Sequence, residues 1–230
     1  MSIRQFLKHK KQPIPVDVLT GYAHWAAYYP AEAHNPLMEI EQQAMLDLLP
    51  EVGNKMCLDL ACGSGRYLHL LQVRGAKSVI GLDYSAEMLK QARPLTANRR
   101  PPLIRSLFLH LPFSIDLFDV IICGLGVGHE KNLTGILTEV ARILRPGGIM
   151  LYSDFHPFAA LAGWQRSFAV NGTVFELEHY IHLYSDHVQA CAAANLTIDA
   201  VLESAAGDHA PTGFGQTPVV LAIRAVKRVI

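Results

Sequence analysis

The sequence is short of several things, and each shortage removes a class of explanation. Only four cysteines occur in 230 residues, and none stand at C-x-x-C spacing. Neither a disulfide framework nor a cysteine zinc site is therefore indicated, and reduced thiols in a cytoplasmic setting are the expectation. An excess of charge of one sign is also missing. Twenty Lys and Arg balance twenty Asp and Glu, for a formal net charge of +0, so no broad field draws in nucleic acid or an anionic membrane. The one basic stretch, Lys8 to Lys11, is short and reads as a solvated tail rather than an RNA-binding arm. No apolar run is long enough to span a bilayer, no secretory h-region stands out, and no internal repeat is visible. What remains is a chain that is 50% hydrophobic, enough for one well-buried α/β domain.

One absence is local. Cys57-Leu58-Asp59-Leu60-Ala61-Cys62-Gly63-Ser64-Gly65 reads as a strand breaking into a glycine turn, followed by Tyr67, Leu68, Leu70 and Leu71 at helical spacing. Glycine tolerates positive φ at little cost, and the first turn of the following helix offers free N–H groups and a positive dipole end. Eighteen residues past Gly65, the short strand Ser78–Leu82 ends in Asp83, an acid placed to accept bonds from a ribose diol. Together these point to an adenosine-bearing cofactor. The third glycine of a dinucleotide fingerprint is lacking, because Leu68 stands three residues beyond Gly65. Asp59, inside the first strand, would repel a pyrophosphate yet suits a ligand bearing an ammonium or sulfonium.

The segment from Leu58 to Gly65, with Gly81-Leu82-Asp83-Tyr84-Ser85-Ala86-Glu87-Met88-Leu89, resembles class I S-adenosylmethionine-dependent methyltransferases, in particular the quinone and biotin-pathway branch with a type 11 domain. The likeness extends through Leu111-Pro112-Phe113, the strand-like Phe118–Ile122, and Arg142-Ile143-Leu144-Arg145-Pro146-Gly147-Gly148. In the last, proline and glycine are expected to stop the helix Leu133–Leu144 and reverse the chain. Gly148–Asp154 then reads as a further strand. One position departs: where the family often has an Asp four residues before the LPF leucine, this chain has Leu107. The adenine is then expected against backbone near Phe108 and apolar walls.

The resemblance implies a Rossmann-like, seven-stranded, mostly parallel sheet with helices on both faces and a small lid after the fifth strand. Residues 1–230 are read as a single domain: a helical and aromatic cap over 1–50, a cofactor-binding core over 51–157, a lid over 158–185, and a last helix and two strands over 186–230. Residues 1–20 read as a loose arm, Glu39–Leu49 and Ser185–Asn195 as helices, and Leu196–Glu203 and Thr217–Val226 as strands. Asn171-Gly172 before Thr173–Leu177 signals a hairpin.

The cofactor implied is S-adenosylmethionine, with Tyr22, Trp25, Asp59, Ala61, Gly63, Gly65, Asp83, Tyr84, Met88, Phe108 and Cys123 expected around it. Methyl transfer needs alignment more than base catalysis, because the sulfonium already activates the methyl group. His156, Asp154 and His129 fall just after strands, at the carboxyl edge where open sheets bind ligands, and are the candidates for handling a proton. His24, His179 and His182 read as packing residues. Asp154, His156 and His129 as metal ligands are the weaker reading, since nothing in their spacing demands a metal. The acceptor is expected to be a small or medium, partly hydrophobic molecule methylated on oxygen or carbon, by a monomer or homodimer without nucleic acid or a membrane span. A nicotinamide oxidoreductase is disfavoured by Asp59, by Leu68 and by the lack of a Tyr-x-x-x-Lys pair. A non-catalytic methyltransferase-like binding protein is disfavoured by the intact Gly63, Gly65 and Asp83.

Overall fold

In the computed structural model, which describes residues 12–92, 101–209 and 215–229, alternating apolar residues send each central strand's side chains to two opposite cores. Strand β1 (Ile14–Val16) and helices α1 (Val18–Trp25) and α2 (Pro36–Leu48) come first. They lead into β2 (Met56–Leu60), α3 (Arg66–Val73), β3 (Ser78–Asp83), α4 (Ala86–Gln91) and the short β4 (Leu103–Arg105). Then come β5 (Phe118–Cys123), α5 (Leu133–Ile143), β6 (Leu144–Phe155), α6 (Pro157–Leu161), the pair β7 (Ser167–Val170) and β8 (Thr173–Leu177), α7 (Tyr184–Ala193), β9 (Leu196–Ala205) and β10 (Pro218–Lys227).

The main sheet has seven strands in the order β4-β3-β2-β5-β6-β10-β9. Neighbours from β4 to β6 run parallel, and β10 is antiparallel to both β6 and β9. Leu58, Leu60, Ile121, Cys123, Met150 and Tyr152 face one core, which α5 and α7 cover. Cys57, Val120, Ile122 and Leu151 face the other, covered by α2 and α3. Helix α5 shows the cause plainly: Leu133, Ile136, Leu137, Val140 and Ala141 recur at one-face spacing and are buried. Asn132 caps it, accepting the Gly135 N–H at 2.9 Å.

Several boundaries differ from the sequence expectation by one to a few residues, and one segment differs in kind. Helix α5 ends at Ile143 and Leu144 opens β6 directly, two residues before Pro146, so the Pro-Gly-Gly run lies inside the strand rather than terminating the helix. The α2 helix starts at Pro36, whose fixed φ suits a first turn, and Asn35 accepts the Met38 N–H at 3.0 Å. Helix α7 begins at Tyr184, one residue early. Residues 14–16 are not a loose arm: β1 pairs parallel with β8, giving a second sheet in the order β1-β8-β7. The Lys8–Lys11 stretch lies outside the described residues.

The Asn171-Gly172 turn joins β7 and β8 with φ of 50° and 75°, the pair of positive values that matches strand twist in a two-residue hairpin. The cap and hairpin pack as one cover, with Trp25 stacked on Phe168 at 4.6 Å and His24 on Phe175 at 5.1 Å.

Beneath that cover, the fully buried Glu41 of α2 is the hub. Its Oε2 pairs with Arg66 Nη2 at 2.6 Å, and its Oε1 accepts from the Tyr67 hydroxyl at 2.9 Å and the Ser153 hydroxyl at 2.7 Å. Cap helix, first turn of α3 and central strand β6 thus meet at one carboxylate. Removing one partner of a buried ion pair leaves an uncompensated charge, so Glu41→Ala should destabilise the fold by about 3–5 kcal/mol. Urea unfolding of the two proteins checks this; a loss below about 1 kcal/mol would mean that Arg66 finds another partner or water.

Candidate active site

The strand order reverses between β2 and β5, and the crevice at that point is where open α/β sheets bind ligands. A cavity of about 310 Å³ occupies it. Its walls come from loops at the carboxyl ends of four neighbouring strands: Ala61 and Gly63 after β2, Asp83 to Ser85 at and after β3, Ser106 to Phe108 after β4, and Gly124 to Gly126 after β5. Tyr22 and Tyr29 of the cap close one side, and Met88 of α4 another.

The glycine turn needs its glycines. Gly63 and Gly65 have φ of 53° and 96°, and Gly65 is the residue from which α3 starts. Ala61 and Leu125 also hold positive φ, at 59° and 55°, facing the same cavity. Such strain in residues with a side chain persists where surroundings over-determine it, and it clusters at ligand sites.

Asp83 does two things at the tip of β3. Its Oδ2 accepts the Gly63 N–H at 2.8 Å and its Oδ1 accepts the Ser85 N–H at 2.8 Å, pinning the glycine turn to the neighbouring strand. Burial raises its pKa, opposed by those two N–H bonds. Each oxygen keeps a lone pair for a ligand hydroxyl. Asp59, expected at the cofactor, is not among the residues lining the cavity; it lies on the β2 face that carries Cys57, and both its oxygens are buried without a hydrogen-bond partner of ordinary geometry. Burial pushes its pKa up to about 8, Arg66 pulling the other way.

On the cap side, His129 follows β5. Its Nδ1 lies 3.0 Å from the Glu178 carbonyl and its Nε2 3.1 Å from the Tyr22 hydroxyl. A carbonyl only accepts, so Nδ1 carries the proton and Nε2 accepts from Tyr22. Burial, and then the charge of Arg166, lowers the His129 pKa well below its usual value and keeps the ring neutral.

The cavity therefore gathers Tyr22, Ala61, Gly63, Asp83, Tyr84, Met88, Phe108 and His129. Other expected residues lie elsewhere. Trp25 lines a smaller neighbouring cavity of about 60 Å³ with Trp164 and Phe155. Gly65 and Cys123 support the turn and the β5 loop from behind, Cys123 being fully buried. His156 is corrected: its Nδ1 accepts the Phe158 N–H at 3.1 Å, capping α6, and its Nε2 lies 3.1 Å from Glu203 on β9, facing away from the cavity. The Pro157 that follows it starts that helix and turns the imidazole into a cap. Asp154 bonds His179 Nε2 at 3.0 Å rather than His156. Burial raises the Asp154 pKa, but the His179 bond and charge outweigh this and the net shift is downward. Gly128 makes room for that pair, since a Cβ there would overlap both His179 Nε2 and Asp154 Oδ1. Among the described residues no three His, Cys, Asp or Glu side chains converge as metal ligands, so Asp154, His156 and His129 form no such set.

Arg166, Tyr29 and Ser106 also line the cavity, and sequence reasoning misses them. A lone arginine before a hairpin carries no spacing signal. The only hint is its place within the segment expected to fold over the cleft. Leu107, the departure from the family pattern, does line the cavity, half-exposed.

A nucleotide-type crevice under an aromatic cap on this sheet order defines a Rossmann-like, methyltransferase-type fold. Residues 58–152 match the methyltransferase domain family. The 2-phytyl-1,4-naphtoquinone methyltransferase of Synechococcus elongatus is 32% identical over 182 residues, 73% of this chain and 69% of that one. The demethylmenaquinone methyltransferase of Lactiplantibacillus plantarum is 37% identical over 100 residues, 41% of this chain and 42% of that one. A Haemophilus influenzae protein of uncharacterised function is 32% identical over 151 residues, 61% of this chain and 59% of its own. Over several curated relatives the match thus spans only about half of their length, from 42% to 59%. Among solved structures, a Mesorhizobium loti S-adenosylmethionine-dependent methyltransferase superposes with a TM-score of 0.68 at 23% identity, over 81% of this chain and 97% of that one. One from Methanosarcina mazei gives 0.63 at 19% identity, over 81% and 97%. The chain belongs to the class I S-adenosylmethionine-dependent methyltransferase family.

Asp59 gives a testable pH dependence. Its folded pKa, about 8, lies above the unfolded value of about 3.9. The folded state therefore binds the extra proton between those limits. Its stabilising effect is complete below about pH 4, is lost progressively up to about pH 8, and the loss is constant above. Against the non-titrating Asp59→Asn, wild-type stability should fall across that window by a few kcal/mol. Denaturant unfolding of both proteins from pH 5 to 9 reads it directly. Parallel curves would place an ionised Asp59 in the folded protein at neutral pH.

Proposed function

We propose that the protein is an S-adenosylmethionine-dependent methyltransferase acting on a small or medium, partly hydrophobic acceptor, at oxygen or carbon. The observation that carries this reading is Asp83, which faces the switch-point cavity while holding the glycine turn by the Gly63 N–H. Gly63, whose positive φ and missing side chain keep the turn open at the cavity wall, supports the fit of an adenosine-bearing ligand. When bound, the cofactor supplies an activated methyl on its sulfonium. Asp83 would take the ribose hydroxyls, Met88, Leu107 and Phe108 the adenine, and Tyr22 would close over the ligand. The protein's remaining task is alignment and exclusion of water, which near-attack geometry makes worth about 7–11 kcal/mol.

The quinone methyltransferases among the relatives suggest a quinol-type acceptor, a ring whose reduced form carries an acidic hydroxyl. Tyr22 and His129 suit such a group. As the acceptor loses its proton to the Tyr22 oxygen, the Tyr22 proton passes to His129 Nε2, whose Nδ1–H stays on the Glu178 carbonyl. A histidine with a lowered pKa is a weak base, adequate for an acidic hydroxyl and poor for an amine.

Asp83→Ala should weaken S-adenosylhomocysteine binding by about 1.5–3 kcal/mol with the fold intact, while wild type should ignore NAD. Calorimetry decides: tight NAD binding without S-adenosylhomocysteine binding would favour an oxidoreductase, and binding of neither a non-catalytic protein. Tyr22→Phe and His129→Gln should each lower the methyl-transfer rate to a phenolic or enolic acceptor by about 10²-fold. The loss should shrink as pH approaches the acceptor's own pKa. A pH-independent defect would reduce the pair to packing.

A further inference from the structure

Arg166, just before β7, stands where three cavities meet: the switch-point cavity, the small apolar one beside Trp25, and a groove of about 610 Å³ lined by Pro15, Ala160 and His179. It is half-buried and has no carboxylate within ion-pair distance among the described residues. The other arginines buried to a similar degree each have one: Arg66 with Glu41, Arg142 with Glu139, Arg224 with Asp199. Nη1 of Arg166 donates to the Leu125 carbonyl at 3.0 Å, which fixes the plane of the guanidinium. Its charge also bears on the Tyr22 hydroxyl and on His129.

Its charge also acts on the buried Asp154, whose Oδ1 is taken by His179 and the Phe155 N–H and whose Oδ2 has no hydrogen-bond partner, but no ion pair forms between them; the other acids near it are engaged. Asp17, exposed, accepts from the Thr20 amide and hydroxyl. Glu178, exposed, accepts from the Tyr180 hydroxyl, and Glu130 from the Asn132 N–H. A half-buried guanidinium with free N–H groups is costly to leave unpaired, and its planar fork matches a carboxylate in two parallel bonds. Around it, Trp164, Leu125, Leu177 and Phe155 supply apolar walls.

We propose that Arg166 is the docking point for a carboxylate carried by the methyl acceptor, and hence a specificity-determining residue that selects an amphiphilic acid: apolar body against Trp164 and Leu177, acidic end on the guanidinium. This rests on the methyltransferase reading above. The same oxyanion chemistry could come from the amino-acid end of the cofactor, so the test must separate the two sources.

Calorimetry on the full chain does so with wild type, Arg166→Gln and Arg166→Lys. S-adenosylhomocysteine and 5′-methylthioadenosine, which lacks the amino-acid end, read the cofactor side. 4-Hydroxybenzoate and octanoate against their amides read the acceptor side, with and without saturating S-adenosylhomocysteine. The expected result is acids favoured over amides by about 10–100-fold in wild type, the preference lost in Arg166→Gln and partly kept in Arg166→Lys. S-adenosylhomocysteine affinity should stay within about twofold. If Arg166→Gln weakens S-adenosylhomocysteine but not 5′-methylthioadenosine, the arginine serves the cofactor and the proposal is overturned. It is equally overturned if wild type binds no acid better than its amide. Failure of wild type to bind S-adenosylhomocysteine would instead sink the methyltransferase reading, and the acid–amide comparison without nucleoside still decides the role of Arg166. Should Arg166→Gln fail to fold, Arg166→Lys decides in its place: a reduced acid preference supports the docking role, and an unchanged one overturns it.

Discussion

Everything at the ligand end of this protein hangs from one buried carboxylate. Glu41 compensates Arg66 and takes the hydroxyls of Tyr67 and Ser153, so the start of α3 and the middle of β6 cannot shift independently of the cap. Ser153 passes the constraint on, accepting the Leu125 N–H at 2.9 Å, and the Leu125 carbonyl holds Arg166 at 3.0 Å. Tyr22 and His129 stand beside that arginine, their hydrogen bond ending on the Glu178 carbonyl. A continuous polar chain thus runs from below the glycine turn to the lid, through a residue held in left-handed backbone. Buried networks of this kind cost energy when broken and specify one arrangement when complete.

That rigidity suits a reaction whose difficulty is geometric. The loops of four parallel strands bring short, fixed backbone to one crevice, while Tyr22 and Tyr29 of the cap close over it, backed by the stack of Trp25 on Phe168. Asp83 couples the two halves of the cofactor side, since the bond that positions the glycine turn comes from the same carboxylate that faces the ligand. Charge is rationed in the same place. Burial raises the Asp59 pKa and lowers that of His129, and Arg166 is a half-buried cation with no carboxylate in ion-pair distance among the described residues.

Much of this is legible in the sequence because it is local. The glycine turn, the acid ending β3 and the periodicity of α5 follow from residue type and spacing, and so does the Asn-Gly hairpin. The seven-stranded sheet comes with the family resemblance, although three-residue β4 has too few side chains to announce itself. The illegible parts depend on long-range pairing. Nothing around Ile14–Val16 says that it will add to a strand near residue 175, and so it reads as a loose arm. His156 and His129 both follow strands and look alike in sequence. Pro157 makes one a helix cap, whereas a 3.1 Å bond to Tyr22, 107 residues away, makes the other a wall of the cavity. Arg166 is silent in sequence because its significance lies in which carboxylates are not near it.

The most direct test is a crystal structure of the protein with S-adenosylhomocysteine. The account predicts both ribose hydroxyls within about 3.2 Å of the Asp83 carboxylate, adenine between Met88 and Phe108, and the sulfur turned toward Tyr22 and His129. A ligand seated away from Asp83, or a crevice still closed to it at saturating concentration, would contradict the account.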